Sequence, residues 1–535
     1  MLPTRARVYF GRMRFTILAA ALIVACAPKH DGGTPSDASP PDAFAGPFPD
    51  FPASPIIDPS APGNSGMLFG AGGTGGSGGP CMFEPEVGTL YPQNWLRPRF
   101  SWVATGTENL FEVRITAANE VNDLVVYTAM TTWTMPADVW NALSTHIIEQ
   151  PLTVTVRGAT YDGSSALTSG PEIGTSGAIQ IAAVPAPGAI VYWTTSNGTG
   201  FRGFHIGDET VQTVASPSDD AATTQCIGCH SSTPDGMYVA YSATDDSGNG
   251  DPAMLGLMTS DGTHAKPPFV SAPAQSLMGR VNQELPQFSP LHWQTGDRVA
   301  LGMFPTDGVT TNGAYEIMWT DLEATSPSGT GFIARTGDTA HAASASFAHT
   351  SDTLVYVSAP NVSSGITVSA GDIWTVPYGS RMGGSAAPVI GANTAANEYY
   401  PTFSPDDKYI AYDIAPGGQS SYANANAEVY VIPSGGNAMP VRLAANDPPT
   451  CTAAMSPGVE NSWPKWAPDA PAANGKTYYW LTFSSTRDAA AIPQLYVTPI
   501  VDDGTTLTTY PALYLWNQPV DEHNHTPAWD NFQLQ

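Results

Sequence analysis

A sequence pattern that recurs at a nearly constant interval in the second half of the chain limits the folds open to it. Each copy places an aromatic residue on a short apolar strand, at Phe288, Phe347, Phe403, Trp466 and Trp529, so successive spacings are 59, 56, 63 and 63. Repeats of this length, read as strands joined by tight turns, are typical of a β-propeller, in which each four-stranded unit buries its faces against its neighbours. A set of independent sheets leaves the regular period unexplained.

The number of repeats can be predicted from the two ends of the repeat region. The last copy, around Trp529, supplies one strand before the chain stops at Gln535, and three strand-like runs between 190 and 214 precede the first copy. One C-terminal strand and three N-terminal strands complete a further unit and leave no open sheet edge. The sequence therefore predicts an all-β fold with a six-bladed propeller over residues 186–535.

Two of the turns carry a family resemblance. Thr233-Pro234-Asp235-Gly236 and Ser404-Pro405-Asp406-Asp407 are followed by Tyr238-Val239-Ala240-Tyr241 and Tyr409-Ile410-Ala411-Tyr412. This turn and strand resemble the WD-type repeat of TolB-like propellers. The resemblance implies a protein that works in the cell envelope and uses its propeller as a scaffold.

The amino terminus has the form of an export signal. Four arginines precede the apolar run Phe15–Ala25, which is too short to span a bilayer. The run ends in Ile23-Val24-Ala25-Cys26, which resembles the signal box of bacterial lipoproteins, in which the cysteine becomes the lipidated first residue. We expect a signal peptide over 1–25, a lipid on Cys26 and sorting to the outer membrane, facing either the periplasm or the cell exterior. An ordinary signal peptide that leaves Cys26 as an unpaired thiol is the alternative.

Two segments separate the signal from the repeats. Residues 26–80 are rich in Pro, Gly, Ser and Asp and lack periodicity, so we expect a flexible, disordered tether. Residues 81–185 contain strand-like runs such as Phe111–Ile115 and Leu152–Val156, broken by Gly, Asn and Asp. This pattern resembles a small immunoglobulin-like or fibronectin type III β-sandwich. It contains no catalytic constellation.

The charge balance bears on partners. The chain has 47 Asp and Glu against 20 Lys and Arg, a formal net charge of −27. Nucleic acid binding requires a basic surface that releases counterions, and the sequence has no Lys or Arg cluster beyond its first fourteen residues. We therefore expect no nucleic acid partner, and contact with the membrane only through the N-terminal lipid.

The motif that carries chemistry is Cys226-Ile227-Gly228-Cys229-His230. It matches the attachment sequence of c-type haem, in which two thiols form thioethers and the histidine ligates iron. We therefore expect one covalent haem c. A local disulfide or a zinc site are the alternatives, although a second pair of soft ligands at metal spacing is missing. In cytochromes the motif opens a helix of a small helical domain, whereas here it enters a propeller repeat.

The repeat register suggests the second iron ligand. His230 aligns with Pro286, Pro401, Pro464 and Pro527, a position we expect at the start of each innermost strand. His525 lies on the innermost strand of the neighbouring unit, so we expect it opposite His230. His341 and then Met455, which are expected on the same face, are the alternatives.

Cys81 and Cys451 remain after these assignments. In an oxidising compartment two leftover thiols suggest one disulfide, and two buried thiols are the alternative.

Together these features predict an outer-membrane lipoprotein that carries one haem c on a propeller and transfers electrons to a redox partner protein. The alternative is a TolB-like scaffold that binds a protein or glycan of the envelope, with haem structural or absent. Enzymatic activity of the peroxidase type stays open, and no catalytic residue is identified.

Overall fold

The computed structural model describes residues 46–535 except 197, 246–253, 279–285, 306–314, 327–328, 365–366, 392–394, 437 and 489–490. The signal peptide, Cys26 and the first part of the predicted tether lie outside the described residues. The described chain is all-β, and residues 47–535 form one compact unit.

Six antiparallel sheets follow one another in the repeat region of the described chain, and we number them I to VI. Their strands are, in sheet I, Thr224–Ser232, Tyr238–Asp245 and Met254–Thr259; in sheet II, Gln287–Gln294, Asp297–Pro305, Tyr315–Asp321 and Thr330–Phe332; in sheet III, His341–Phe347, Thr353–Ala359, Asp372–Pro377 and Ala387–Pro388; in sheet IV, Ala396–Phe403, Tyr409–Pro416, Glu428–Pro433 and Val441–Arg442; in sheet V, Asn461–Trp466, Lys476–Ser485, Gln494–Asp502 and Leu507–Thr509, with Ala472–Ala473 and Leu513–Tyr514 added; and in sheet VI, Asn524–Asp530, Ala189–Thr194, Gly200–His205 and Gln212–Ala215.

Two small strand pairs accompany these sheets, Ala334–Thr336 with Gly383–Ser385 and Asn361–Ser364 with Thr367–Ser369. The short helices of the described chain are Ser65–Phe69, Ala137–His146, Pro217–Asp220 and Ala272–Met278, with 3₁₀ turns at Ala444–Asn446 and Thr450–Thr452.

Sheet VI joins the two ends of the repeat region. The strand Asn524–Asp530 pairs antiparallel with Ala189–Thr194, as the sequence predicts. Trp529 is 5% exposed, and its indole Nε1 donates a hydrogen bond of 2.7 Å to the carbonyl oxygen of Pro187. The last strand of the chain is therefore anchored both by its ladder and by a buried ring.

The first strands of five sheets share a bulge at the same repeat position. In each of them the pairing register shifts, and one residue other than glycine adopts a left-handed backbone conformation, namely Cys229, Ser344, Tyr400, Trp463 and Thr526, with φ between 44° and 62°. His230, Pro401, Pro464 and Pro527 directly follow four of these residues. They lie inside their strands and not at the start, because each strand begins three to six positions earlier than the repeat alignment indicates.

The segment before the repeats forms two further sheets. A seven-stranded sheet contains Ile56–Ile57, Leu124–Thr128, Leu110–Thr116, Leu152–Tyr161, Leu167–Ile181, Gly76–Ser77 and Leu90–Tyr91, and a three-stranded sheet contains Cys81–Glu84, Arg99–Val103 and Thr132–Thr134. Trp102 of the small sheet packs on Phe111 of the large one, with ring centroids 5.5 Å apart. The helix Ala137–His146 packs into the same core through Val139, Trp140 and Leu143 and was not predicted.

The predicted tether over 26–80 is wrong for its second half. Phe51 and Phe69 are buried, and Ile56–Ile57 adds a parallel strand to the large sheet. The backbone N–H groups of Asp50 and Phe51 donate to the Glu120 carboxylate at 3.1 and 3.3 Å. The many prolines and glycines of this segment leave no hydrophobic periodicity in its sequence. Two of its few apolar side chains, Phe51 and Phe69, are nevertheless buried in the folded chain.

The two parts of the folded chain share one hydrophobic core. The same cluster contains Trp102 and Phe111 from the N-terminal sheets, Tyr192 and Trp529 from sheet VI, and Trp480 from sheet V. Polar contacts add to it: the Glu149 carboxylate accepts hydrogen bonds of 2.6 Å from Lys476 Nζ and from the Tyr478 hydroxyl. The N-terminal sheets are therefore fixed on the repeat region rather than held at a distance from it.

Changing Trp529 to Ala should lower the free energy of unfolding by about 3–5 kcal/mol, because it leaves a cavity in the shared core and an unpaired carbonyl at Pro187. Denaturant unfolding followed by tryptophan fluorescence measures the change. The matched variant His523→Ala, at an exposed residue just before the same strand, should change it by less than about 0.5 kcal/mol. Equal stability of Trp529→Ala and the wild type would contradict the anchoring role of this strand.

Candidate functional site

The cysteine motif lies on the first strand of sheet I and not on a helix. Cys226 and Cys229 are half-buried, and neither forms a disulfide. Cys229 occupies the bulge, with φ of 44°, and packs against the cluster that contains Tyr400 and Trp463. The disulfide alternative for this pair is therefore not what the structure shows.

His230 is enclosed by protein. The residue is only 2% exposed, its Nε2 lies 3.0 Å from the carbonyl oxygen of Val191, and its ring centroid lies 4.6 Å from that of Phe201. Burial lowers the pKa of His230 to about 4, so the imidazole is neutral at pH 7 and donates from Nε2. Its buried Nδ1 has no hydrogen-bond partner among the described residues.

His525 lies on Asn524–Asp530, the first strand of sheet VI, which contacts the strand that carries His230. Its ring packs on Trp193 with centroids 4.6 Å apart. Burial lowers the pKa of His525 to about 4, with smaller contributions from His523 and His230. Both imidazoles are therefore neutral at pH 7.

The two alternative ligands have other surroundings. His341 is the first residue of the first strand of sheet III. Its Nδ1 accepts a hydrogen bond of 2.9 Å from the backbone N–H of Tyr315. Met455 is 74% exposed. Neither side chain has the enclosed setting in which a haem ligand usually lies.

The imidazoles as placed do not fit axial ligation of a haem iron. The Nε2 of His230 is hydrogen-bonded to the carbonyl oxygen of Val191, and the rings of Phe201 and Trp193 pack on the imidazoles of His230 and His525 respectively. A Cβ on Gly228, inside the motif, would already lie 3.0 Å from the Trp193 ring. The described residues also contain no group of three His, Cys, Asp or Glu side chains that could hold a metal ion.

A central cavity of about 260 Å³ is lined by the first strands of all six sheets, through residues that include His230, Phe288, Phe347, Thr402, Lys465 and Asp530. Lys465 is unusual on such a strand. Burial lowers the pKa of its ammonium group to about 8, an effect that Asp413 partly offsets. The buried Asp413 carboxylate accepts hydrogen bonds from Ser462 Oγ at 2.7 Å and from the Trp463 N–H at 3.2 Å.

A second, larger cavity of about 380 Å³ lies between the N-terminal sheets and sheet V, and we call it the junction pocket. Its lining contains six aromatic residues, Phe83, Tyr91, Trp95, Tyr496, Tyr514 and Trp516, and five charged ones, Glu84, Glu86, Arg99, Arg487 and Asp488. Val103, Val520 and Cys451 are among the other lining residues. This volume lies within the range of small-molecule sites, roughly 300–1,000 Å³.

The disulfide predicted from the two leftover cysteines borders the junction pocket. Cys81 and Cys451 are bonded, with Cα atoms 5.9 Å apart, and they join positions 370 residues apart in the sequence. A crosslink over so long a loop removes much of the conformational freedom of the unfolded chain, and losing one typically costs about 2–5 kcal/mol. It fixes the first strand of the small sheet to the segment before sheet V.

Arg487 is the most deeply buried charge in the junction pocket, at 5% exposed. Its Nε donates to Ser485 Oγ at 3.0 Å, and its Nη2 donates to Asn461 Oδ1 and to the Ala445 carbonyl oxygen, both at 2.6 Å. The guanidinium lies over the Tyr496 ring, with Cζ 4.7 Å from its centroid. These contacts hold the group rigidly and leave its Nη1 without a hydrogen bond to any described residue.

Lys465, Asp413, Glu86 and Arg487 were not predicted from the sequence. For Lys465 the sequence did contain a signal. The other copies of the repeat have a small or polar neutral residue at this position of the first strand, so a lysine there is exceptional. The junction pocket had no such signal, since its walls come from segments at opposite ends of the folded chain.

Comparison with known proteins identifies no family. No family model matches the chain, and no curated protein matches it. Among solved structures, an ancestral GH74 enzyme is 12% identical to this chain with a TM-score of 0.37, and the match covers 63% of this chain and 40% of the enzyme. A puromycin-hydrolysing peptidase of Mycobacterium tuberculosis is 9% identical with a TM-score of 0.30, and the match covers 60% of this chain and 52% of the peptidase. A microbial sialidase, Hz136, is 10% identical with a TM-score of 0.32, and the match covers 82% of this chain and 85% of the sialidase. The chain thus matches about half or less of the first two structures.

The buried His230 should make the protein less stable in mild acid. Its pKa is near 6.5 when unfolded and about 4 when folded, so the unfolded chain binds the extra proton and stability falls as the pH drops through this window. Between pH 7 and pH 5 this residue alone should remove about 2 kcal/mol. Urea unfolding at the two pH values measures the difference, and His230→Gln, which keeps a donor but cannot titrate, should reduce it by that amount. An undiminished difference in the variant would contradict the assignment.

Proposed function

We propose that the protein is an exported binding protein of the cell envelope, and that the junction pocket is its binding site. The observation that carries the proposal is the pocket itself. It has a volume of about 380 Å³, six aromatic side chains in its walls, and a buried Arg487 whose Nη1 has no hydrogen bond to another described residue. Concave, largely apolar sites with a few fixed polar groups are the usual form of small-ligand sites.

The proposed architecture is a six-bladed, TolB-like propeller carrying an immunoglobulin-like or fibronectin-like sandwich. The support comes from the repeat and from the sheets. The first strands of six sheets line one central cavity, and the last strand of the chain completes the sheet that begins at Ala189. Because such a ring has no free edges, it offers a rigid frame on which a second unit can form a pocket.

The proposed location is the outer membrane, through a lipid on Cys26. The support is the signal sequence and its cysteine box. An oxidising compartment also accords with the Cys81–Cys451 disulfide. No helix in the described part of the chain is long and apolar enough to cross a membrane.

Blocking the junction pocket should abolish binding without unfolding the protein. Val520 lines the pocket and is 56% exposed, so Val520→Trp should fill the mouth without disturbing the core. The probe is Nile red, an uncharged dye that fluoresces in apolar sites. Its affinity should fall at least tenfold, about 1.4 kcal/mol, in Val520→Trp. Val121→Trp, at a residue that is 59% exposed and outside the pocket, should bind as the wild type does. Equal binding by all three proteins would contradict the proposal.

Haem c on Cys226 and Cys229, with electron transfer to a redox partner protein, is the second candidate. The observation that favours it is that both thiols are half-buried and form no disulfide. Because His230 and His525 as placed do not fit iron ligation, this candidate requires their surroundings to rearrange.

Intact mass and a pyridine haemochrome spectrum decide the second candidate. Protein exported from cells that express the cytochrome maturation machinery should, if the first proposal is complete, have the mass of the mature chain plus lipid and no haem absorbance. A haem increment lost in a Cys226→Ser, Cys229→Ser double variant would instead establish covalent haem. A mature chain without the mass of a lipid would contradict lipidation of Cys26.

A further inference from the structure

The junction pocket combines flat apolar walls with polar groups of both signs, and this combination restricts its ligand. Tyr91, Trp95, Tyr514 and Trp516 contribute to its walls. The Nε1 of Trp516 donates to the carbonyl oxygen of Arg97 at 3.0 Å, and that of Trp140, behind the pocket, donates to the carbonyl oxygen of Trp95 at 2.9 Å. The Trp516 ring and the backbone of Trp95 are thus each fixed by a hydrogen bond, and a positioned aromatic side chain is what a sugar-stacking site requires.

Some charges in the pocket are already satisfied by one another. Arg99 donates to Glu84, with Nη2 2.6 Å from Oε2 and Nε 3.0 Å from Oε1, in a two-point ion pair. Such a pair is geometrically complete and leaves little net charge for a ligand. Its role in the pocket is to hold the small sheet in place beside Tyr514, over whose ring the Arg99 guanidinium lies.

Two other groups keep hydrogen-bonding capacity for a ligand. Arg487 offers the donors of its Nη1, while its other nitrogens are bound by the protein. Glu86 offers an acceptor: its carboxylate makes no hydrogen bond to any described residue, and burial raises its pKa to about 7 although Arg487 lowers it. Neither Arg487 Nη1 nor the Glu86 carboxylate is among the fully buried polar atoms without a partner in the described chain, so both are accessible from the pocket. A ligand that displaces water from them must replace the lost hydrogen bonds or bind more weakly.

These groups select against other classes of ligand. A wholly apolar ligand would leave both groups unsatisfied. An anionic ligand would be attracted by Arg487 but would meet Glu86 and Asp488 in the pocket and a chain of net charge −27 around it. A cationic ligand would meet the fixed, buried charge of Arg487.

We propose that the junction pocket binds a neutral saccharide, one or two sugar rings of a glycan, with the apolar face of a ring against the aromatic walls and its hydroxyl groups bonded to Arg487 and Glu86. A sugar hydroxyl both donates and accepts, so it satisfies a donor and an acceptor without bringing charge into the site. The proposal rests on the binding function proposed above and adds the chemical class of the ligand.

Calorimetric titration of the mature protein tests this class. The neutral probes are maltotriose, cellotriose and tri-N-acetylchitotriose, and the acidic probe is trigalacturonic acid. At least one neutral trisaccharide should bind at least tenfold more tightly than the acidic one, and Val520→Trp should abolish that binding while Val121→Trp keeps it. Tighter binding of the acidic probe would overturn the proposal in favour of an anion site.

A polar variant separates this proposal from the binding function itself. Glu86→Leu removes the acceptor at a half-buried side chain without a described hydrogen bond, so the fold should be retained. It should weaken the neutral saccharide about tenfold, whereas the uncharged dye, which gains apolar surface from the leucine, should bind at least as tightly as to the wild type. If the dye binds and no trisaccharide does, the saccharide proposal fails and the pocket stands. If neither binds, the binding function fails with it.

Discussion

The pairing of the last strand with the first strands of the repeat region is the contact on which the rest of the structure depends. Asn524–Asp530 forms a ladder with Ala189–Thr194, and these strands lie at opposite ends of the repeat region in the sequence. Without it, sheet VI would lack one strand and the repeats would end in an open edge, which exposes unpaired N–H and C=O groups. Trp529, on the same last strand, packs into the core that the repeats share with the N-terminal sheets.

The first strands of five sheets carry a bulge with a left-handed residue, and residues that follow these bulges line the central cavity. A residue other than glycine in the left-handed conformation costs about 1 kcal/mol or more, and it persists only where the surrounding structure enforces it. Here it recurs in five first strands, at positions that include Cys229 and Trp463. His230 and Lys465 follow these bulges into an interior that also holds Asp413, where burial lowers the pKa of both bases and raises that of the acid. The interior therefore disfavours charge, which suits a structural centre better than an exposed reactive one.

The binding site that we propose lies at the junction, where the N-terminal sheets meet sheet V. The Cys81–Cys451 disulfide, the contacts of Glu149 with Lys476 and Tyr478, and the shared core hold the N-terminal sheets rigidly on sheet V. A rigid frame lowers the entropy that a ligand must overcome on binding. Fixed aromatic walls and a fixed guanidinium are what such a frame provides, and neither part of the chain forms them alone.

The sequence by itself determined the all-β class, the regular repeat period, the strand that joins the two ends and the Cys81–Cys451 pair, because these depend on local periodicity, chain ends and counting. It did not determine that residues 47–80 fold, because their few apolar residues, such as Phe51, gain stability only against a sheet formed later in the chain. Nor did it determine the enclosed setting of His230 or the junction pocket. Burial and long-range packing decide those, and a motif such as Cys226–His230 carries no information about which side chains will cover it.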